Sequence, residues 1–297
     1  MSHTDTSLLD HLKSWPLALL PHQLLSRLVR QATRWQTPWW KNFLIRQFIR
    51  LFGVDMSEAE RPAADYSDFN AFFTRALRQG VRPLPSDPRA IACPVDGRVS
   101  ACGHIDGDRI LQAKGHDYSL ASLVGGDSGH AARFANGQFA TLYLSPRDYH
   151  RIHMPCTGRL TETVYVPGRL YSVAPHTTRA IERLFTRNER LVTFFDTDSG
   201  PMAVVLVGAI FVSCMETVWD GIVNPHLGMQ RQGRTFSDDG QPSRELRRGA
   251  ELGRFNMGST VILLFGPGQA RWSDALKPGG AVTMGREIGT LQAENPA

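Results

Sequence analysis

Two hydrophobic periodicities divide this chain at about residue 60. Between residues 21 and 53, apolar side chains such as Leu24, Leu25 and Leu28 recur at helical spacing, with arginines on the other faces. This pattern predicts two or three short amphipathic helices. From residue 91 onward, short apolar, β-branched runs alternate with Gly, Pro, Asn and Asp, which is typical of antiparallel strands joined by turns. The predicted strands cover residues 97–102, 137–144, 160–166, 191–195, 202–212 and 261–265.

Helices and one long polar segment interrupt the strand pattern. A short helix is predicted at 68–78, and helical insertions at 120–124 and 177–185. The Arg-rich segment 224–249 is predicted to be a long loop or a mobile hairpin. The fold class expected is therefore α+β. A mainly antiparallel β domain (sandwich- or barrel-like), residues 61–297, follows a segment of short amphipathic helices, residues 1–60.

Charge and tryptophan are concentrated in the first segment. Residues 1–50 carry seven Lys or Arg and two Asp, a net charge of +5 that equals that of the whole chain, and they hold four of its six tryptophans. Basic residues are attracted to anionic lipid headgroups, and tryptophan prefers the boundary of a bilayer. We expect this segment to contact an anionic membrane surface, the alternative being that its helices only pack on the β domain. Nucleic acid is not expected as a partner, because large aliphatics separate the arginines and no binding motif accompanies them.

Membrane-spanning and secretory segments are not expected. No run reaches the roughly 18–20 apolar residues that a membrane span needs. Asp5 and Asp10 precede the first apolar run, and Pro16 and Pro21 interrupt it, unlike a signal peptide. The four cysteines lack metal-finger or CxxC spacing and suit a reducing compartment. The expected location is peripheral, on the cytoplasmic side of the cell membrane.

A Gly-Ser bond between residues 258 and 259 directly precedes the most apolar predicted strand. A serine hydroxyl can attack the carbonyl before it and convert the amide into an ester. Elimination from that ester cuts the chain, and hydrolysis with loss of ammonia then leaves a pyruvoyl group on the new first residue. This electrophilic carbonyl can replace a bound cofactor in amine chemistry. Gly-Ser-Thr alone is common and most often structural, so the neighbouring motifs decide between the two readings.

Together with its neighbours, this segment resembles the processing site of the phosphatidylserine decarboxylases, pyruvoyl enzymes that make phosphatidylethanolamine. Motifs of that family follow in the same order from about residue 66 to residue 265. Met257 stands where the family usually has Leu, a nearly isosteric change that we expect processing to survive. The matching segments are FFTRALR at 72–78, VRP at 81–83, PVDG at 94–97, AKGHDYSL at 113–120, LSPRDYHRIHMP at 144–155, VGA at 207–209, ETVW at 216–219 and GRF at 253–255.

The resemblance implies a self-cleavage triad of Asp96, His153 and Ser259, in which the serine is the nucleophile, the histidine its base and the aspartate the orienting carboxylate. Asp96 also suits a turn in which it bonds its own backbone. Cleavage after Gly258 would give two chains that stay together as a heterodimer, with further dimerisation left open. These would be a β chain of residues 1–258 and an α chain of residues 259–297.

The two histidines of the fifth motif are three residues apart. On a strand, which the following Met-Pro favours, His150 and His153 point to opposite faces and can serve different tasks. On a helix they would share a face, but no third ligand with suitable spacing supports a metal site. The resemblance makes His150 the proton donor in decarboxylation. Tyr149 and Ser172 are weaker candidates for the substrate pocket, and Glu216 is either a pocket residue or a buried structural acid.

The implied reaction joins the amine of phosphatidylserine to the pyruvoyl carbonyl as a Schiff base, after which CO₂ leaves and phosphatidylethanolamine is released. Pyridoxal phosphate needs a lysine for its internal Schiff base. It is not expected here, because only one of the four lysines of the chain, Lys114, lies in a motif. One alternative is a serine hydrolase with the same triad, although the second glycine of a Gly-x-Ser-x-Gly elbow is missing. Another is a peripheral membrane β domain that binds lipid without turning it over.

Overall fold

A computed structural model describes residue 10 and residues 22–113, 116–210, 214–223, 230–236, 244–256 and 259–292. Three residues singled out above, Lys114, Met257 and Gly258, lie outside these ranges, as does most of the chain before residue 22. Within the described ranges, no helix is both long and apolar enough to cross a bilayer.

Two amphipathic helices open the described chain, α1 (His22–Thr33) and α2 (Pro38–Phe52). A proline at the start of α2 suits a first helical turn, where its missing N–H is not needed. At the other end Gly53 adopts a left-handed conformation (φ 64°), and its N–H bonds to the Ile49 carbonyl. Trp40 donates from Nε1 to the carbonyl of Ala32 at 2.8 Å, which ties the two helices together.

A short helix, α3 (Phe69–Phe73), connects these helices to the β domain. Ile45 of α2 is buried against its three phenylalanines. The sequence predicts a helix as far as residue 78, but the structure ends it at Phe73. The next residues pair with an earlier segment instead, since the Arg78 N–H bonds to the Glu58 carbonyl and the Ala76 carbonyl accepts from the N–H of Glu60, both at 2.9 Å.

The β domain is built around the strand β15 (Ser259–Phe265). It lies inside a nine-stranded antiparallel sheet, between β5 (Gln138–Leu144) and β9 (Gly200–Gly208), and pairs with both along its whole length. Alternate side chains, beginning with Val261 and Ile262, enter hydrophobic cores on opposite faces of the sheet. Because both faces are buried, the strand is a continuous apolar run and does not alternate with polar residues.

Different elements cover the two faces of the large sheet. Two smaller antiparallel sheets pack on one face, one of four strands (221–223, 214–217, 251–256 and 151–153, in that order) and one of three (90–92, 287–291 and 270–272). Short helices and a hairpin of residues 109–113 and 116–119 pack on the other face. The predicted class is confirmed, namely mainly antiparallel β sheets preceded by short N-terminal helices. The remaining strands are β1 (Ala90–Ala92), β2 (Gly97–His104), β3 (Arg109–Ala113), β4 (His116–Ser119), β6 (Arg151–His153), β7 (Gly158–Val166), β8 (Arg190–Thr197), β10 (Cys214–Thr217), β11 (Gly221–Val223), β12 (Gln232–Thr235), β13 (Glu245–Leu246), β14 (Glu251–Asn256), β16 (Ala270–Trp272), β17 (Ala281–Val282) and β18 (Glu287–Leu291).

Two further segments differ from their sequence-based prediction. The helix expected at 177–185 is two short helices separated by residues 181–183, of which Arg183 adopts a left-handed conformation (φ 54°). The segment 224–249 is predicted to be a long loop or a mobile hairpin, and parts of it form β12 and β13, which both pair with β7 at the edge of the large sheet. The remaining short helices are α4 (Leu120–Leu123), α5 (Ser128–Ala132), α6 (Pro175–Ala180) and α7 (Leu184–Arg187).

Packing of α2 against α3 is expected to be a major source of stability in this part of the chain. Ile45 is 1% exposed, whereas Leu51 on the same helix is 76% exposed. Ile45→Ala should lower the free energy of unfolding by about 2–5 kcal/mol through lost burial and the cavity it leaves. Leu51→Ala should change it by less than about 0.5 kcal/mol. Urea unfolding of both variants measures the difference, and equal effects would contradict this packing.

Candidate active site

Two pairs of strands flank the candidate site, β5 with β15 in the large sheet and β6 with β14 in the four-stranded sheet. Residues 145–150 connect β5 to β6. Leu144 is the register partner of Ser259, and the Phe255 N–H bonds to the His150 carbonyl at 3.1 Å. Described residues on both sides of the bond predicted to break are therefore paired with the two ends of the segment 144–150.

His150 is fully buried. Its Nδ1 lies 2.8 Å from the carbonyl oxygen of Asp148, and because a carbonyl only accepts, Nδ1 carries the proton. Nε2 is buried and has no hydrogen-bond partner within the described part of the chain. The ring packs on Phe73, with centroids 4.1 Å apart. Burial lowers the pKa of His150 to about 3, so the imidazole is neutral and presents a lone pair at Nε2.

His153 lies three residues further along, opposite Glu251 of β14. Its Nδ1 donates to the Gly249 carbonyl at 2.8 Å. Nε2 is therefore the basic nitrogen, and it accepts from the Tyr149 hydroxyl at 3.0 Å. Burial lowers the pKa of His153 and raises the pKa of Tyr149, so both groups are neutral near pH 7.

Asp96 is held in the turn between β1 and β2. One carboxylate oxygen lies 2.7 Å from Arg82 Nη2, and the other accepts from the Met284 N–H, also at 2.7 Å. Arg82 binds Glu58 as well, through both terminal nitrogens at 2.6–2.7 Å. This pairing with two carboxylates raises the pKa of Arg82 and lowers the pKa of Glu58. Asp96 is therefore part of an ionic cluster and has little freedom to move.

The structure places the predicted triad on adjoining elements. The N–H of His153 bonds to the carbonyl of Pro94 at 2.9 Å, which brings the Asp96 turn against β6. Asp96 and His153 share no direct hydrogen bond, because each polar atom of both side chains has another partner. The backbone of Ser259 begins β15, and its side chain lies outside the described part of the chain. The triad stays a prediction.

On the opposite side of Ser259 lies Gly208 of β9. Asn188, which is fully buried, donates from Nδ2 to the carbonyls of both Gly208 and Tyr171 at 2.9 Å. The segment that contains Ser172 is thereby tied to the strand next to Ser259. The Ser172 hydroxyl itself accepts from the Ala174 N–H at 3.3 Å, a local turn contact, so its role in a substrate pocket stays a prediction.

Glu216 lies at the end of a polar network that leads to β14. It accepts from Asn256 Nδ2 at 2.9 Å and lies 3.6 Å from Arg34 and 3.8 Å from Arg254. The fully buried Asn256 is the last described residue before the predicted cleavage bond, and its Oδ1 accepts from Asn70 at 2.7 Å. Of the two roles left open for Glu216, the structure supports a place in a pocket wall, because this carboxylate lines a cavity.

Metal ligation is a separate question for a site with two histidines. In the ranges that the structure describes, no group of three or more His, Cys, Asp or Glu side chains is placed to hold a metal ion.

Comparison with known proteins assigns the family. A profile described as phosphatidylserine decarboxylase matches residues 69–290, and a second profile, described as PSD, matches residues 12–53. The chain belongs to the phosphatidylserine decarboxylase family. The resemblance read from the ordered motifs is confirmed, and the family is one of enzymes.

Individual relatives match over nearly their full length. The chain is 57% identical over 258 residues to the phosphatidylserine decarboxylase proenzyme of Alkalilimnicola ehrlichii, which covers 86% of this chain and 88% of the relative. It is 54% identical over 273 residues to the phosphatidylserine decarboxylase proenzyme of Azotobacter vinelandii, and the match covers 91% of this chain and 95% of the relative. The phosphatidylserine decarboxylase proenzyme of Ectopseudomonas mendocina is 52% identical over 275 residues, and the match covers 92% of this chain and 96% of the relative.

Several residues at this decarboxylase-family site were not assigned a role from sequence. Arg82 lies in a matching motif, which is a signal that could have singled it out, whereas Glu58 and Asn188 lie in none. Arg75 also lies in a motif, and it becomes notable only through its burial beside the site. What sequence could not show is which polar atoms are left without partners.

A neutral buried His150 should make stability depend on pH. Below about pH 6.5 the unfolded chain protonates this residue while the folded chain does not, so the unfolded state gains stability as pH falls toward the folded pKa of about 3. The free energy of unfolding should therefore fall more steeply with decreasing pH in the parent than in a His150→Gln variant. The expected difference in slope is about 1 kcal/mol per pH unit between pH 6 and pH 4. Urea unfolding in a Ser259→Ala background measures both slopes, and parallel curves would contradict a neutral His150.

Proposed function

We propose that this protein cuts its own chain between Gly258 and Ser259 and then decarboxylates phosphatidylserine to phosphatidylethanolamine with the resulting pyruvoyl group. The observation that carries the proposal is the buried Nε2 of His150, which has no hydrogen-bond partner among the described residues and belongs to the residue whose carbonyl accepts from Phe255 near the end of β14. A buried lone pair without a donor is costly unless a reaction or a ligand uses it.

A pyruvoyl group fits the residues around the start of β15. It would supply an electron-withdrawing carbonyl that binds the substrate amine and stabilises negative charge as CO₂ leaves. The backbone of Ser259 is held between Leu144 and Gly208, so a pyruvoyl group at this residue would start from a fixed backbone position. His150 is the side chain that supports its use, because it is a neutral base on the segment 144–150, whose two ends pair with Ser259 and Phe255.

His150 would move one proton in two directions. The serine headgroup arrives as an ammonium ion and must lose a proton before its nitrogen can attack a carbonyl. Nε2 of His150 can accept that proton, since no group in the described part of the chain donates to it. Burial makes the imidazolium a strong acid, so the proton returns readily to the substrate carbon from which CO₂ has left. His150 thus acts as proton donor only after it has acted as base.

His153 would take the proton of the Ser259 hydroxyl during self-cleavage. Its basic nitrogen is Nε2, because Nδ1 donates to Gly249. That nitrogen accepts from the Tyr149 hydroxyl, which positions the ring and must release this hydrogen bond before the serine proton can be taken. The carboxylate of Asp96 raises the basicity of His153 through space, while Arg82 and the Met284 N–H keep the carboxylate in place.

Variants of the two histidines should separate the two reactions. His150→Gln is expected to mature into two chains and to lose decarboxylation by at least about a hundredfold, the scale of general acid–base catalysis. His153→Ala and Ser259→Ala are expected to remain single chains without activity. Intact mass of denatured protein gives the extent of cleavage, and release of labelled CO₂ from phosphatidylserine gives activity.

Two outcomes would contradict this assignment. An active His150→Gln enzyme would remove His150 from the proton transfer. A Ser259→Ala chain that still decarboxylates phosphatidylserine would remove the pyruvoyl group altogether. Hydrolysis of a lipid ester by the uncut chain would instead support the serine hydrolase.

We also propose that the N-terminal segment, residues 1–60, contacts an anionic membrane surface while residues 61–297 carry the chemistry. Large apolar side chains on α1, α2 and the link between them are solvent-exposed, with Trp35 at 59%, Trp39 at 66% and Leu51 at 76%. Exposed apolar residues grouped on basic amphipathic helices are typical of proteins that lie in the membrane interface. This location would bring phosphatidylserine to the site from the cytoplasmic side.

The exposed tryptophans should carry much of the membrane affinity. Trp35→Ala with Trp39→Ala should weaken binding to vesicles that contain phosphatidylglycerol by at least about tenfold, because each ring loses about 1.5–3 kcal/mol of burial. A matched control is Leu84→Ala with Leu111→Ala, two exposed apolar residues of the β domain. Vesicle flotation measures both. Equal flotation of the two variants would remove the membrane role from these helices.

A further inference from the structure

A polar cavity of about 430 Å³ lies between the N-terminal helices and the β domain. Its wall includes Arg34 from the α1–α2 link, Arg75 just after α3, Arg151 of β6 and Arg254 of β14. Every residue that lines it belongs to the described part of the chain. Arginines outnumber acidic residues in the wall by five to three, so the cavity attracts anions.

Arg75 is the most unusual residue of this wall. It is 4% exposed, and its Nε and Nη1 have no hydrogen-bond partner within the described ranges, while Nη2 donates to the Arg147 carbonyl at 3.1 Å. The guanidinium also lies over the ring of Phe72, 5.5 Å from its centroid. Burial lowers the pKa of Arg75, but a guanidinium remains charged at neutral pH. It is therefore a buried cation with two donors to spare.

The other arginines of the wall already have carboxylate partners. Arg151 lies 2.9 Å and Arg254 2.8 Å from Glu251, and Arg34 lies 3.6 Å from Glu216. Arg75 has no carboxylate within 4 Å among the described residues. Arg34 nevertheless retains a buried Nε that has no partner among the residues the structure describes. The unmet requirement of the cavity is thus for hydrogen-bond acceptors that carry negative charge.

The position of the cavity indicates where such an anion comes from. Arg34 in its wall is followed directly by Trp35, one of the exposed side chains proposed to enter the membrane interface. On its inner side, Arg75 is two residues from Phe73, whose ring packs on His150. The charge of Arg75 is also close enough to lower the pKa of His150. The cavity therefore lies between the proposed membrane-facing helices and the proposed reaction site.

We propose that this cavity binds the phosphodiester of a phospholipid headgroup and that Arg75 is its principal ligand. Guanidinium groups are well suited to phosphate oxygens, and Nε and Nη1 of Arg75, which have no acceptor among the described residues, lie on different edges of the group and can each donate to a phosphate oxygen. That this lipid is the substrate rests on the proposed function. Binding of the phosphodiester to the cavity is independent of the proposed function, because none of the side chains that line the cavity comes from the bond predicted to break.

Binding can be measured without any pyruvoyl chemistry. The uncut Ser259→Ala chain would be titrated by calorimetry with dihexanoyl-phosphatidylserine, dihexanoyl-phosphatidylglycerol and inorganic phosphate, with the lipids below their micelle concentration. Both lipids should bind. Adding Arg75→Gln should weaken both by at least about tenfold, as expected for a charge-assisted hydrogen bond. Arg271→Gln, the same charge change at an exposed position on β16, should alter binding less than about twofold.

Each outcome decides between sources of the anion. Inorganic phosphate that binds as tightly as the lipids would assign the cavity to free phosphate and overturn the lipid proposal. Lipid binding that Arg75→Gln leaves unchanged would overturn the role of Arg75. If Arg75→Gln does not fold, Arg34→Gln on the same wall is the replacement, with the same tenfold expectation and the same contradicting result.

In the mature enzyme, the loss should fall on substrate binding. Arg75→Gln is expected to raise KM for dihexanoyl-phosphatidylserine by at least about tenfold and to change kcat by a smaller factor than KM, with normal cleavage by intact mass. Dihexanoyl-phosphatidylglycerol, which has no amine, should inhibit the parent competitively and lose that effect in the variant. An unchanged KM, with lipid binding still lost in the uncut chain, would place the bound lipid outside the catalytic cycle and contradict its identity as substrate.

Discussion

Pairing of β15 with a neighbour on each side is the constraint on which the rest of the site depends. Its apolar side chains fill cores on both faces of the large sheet, so the strand cannot slide or rotate without exposing them. Ser259 is its first residue and inherits that rigidity. In the four-stranded sheet β6 pairs with β14, and the Phe255 N–H bonds to the His150 carbonyl, so His150 is held near the end of β14.

Burial sets the chemistry of the titratable side chains at the candidate active site. Removed from water, His150 and His153 are neutral and can act as bases, whereas Arg82 keeps its charge by binding Glu58 and Asp96. Arg75 is the exception, since it is a buried cation without a carboxylate within 4 Å in the described chain. A headgroup phosphate would resolve that exception. Lipid binding and catalysis then use the same physical principle, with a polar atom kept unpaired until the substrate arrives.

The sequence predicts six of the eighteen described strands, all of them long strands of the large sheet, because each is a short apolar run bounded by turn residues, and the central strand at 261–265 is the clearest case. It fails for the helix at 68–78, where local spacing favours a helix but pairing of residues 76 and 78 with 58–60 overrides it. Motif order identifies the family and the two histidines. It does not reveal that His153 bonds to Tyr149 and Asp96 to Arg82, because these contacts depend on side-chain geometry across distant segments.

Chemical trapping of the mature protein tests the central claim most directly. Phenylhydrazine, which reacts with ketones, would be added to purified enzyme, and the denatured chains would be weighed by mass spectrometry. The label should appear only on the fragment of residues 259–297, and CO₂ release should stop in proportion to labelling. A single unlabelled chain of 297 residues that still decarboxylates phosphatidylserine would contradict it.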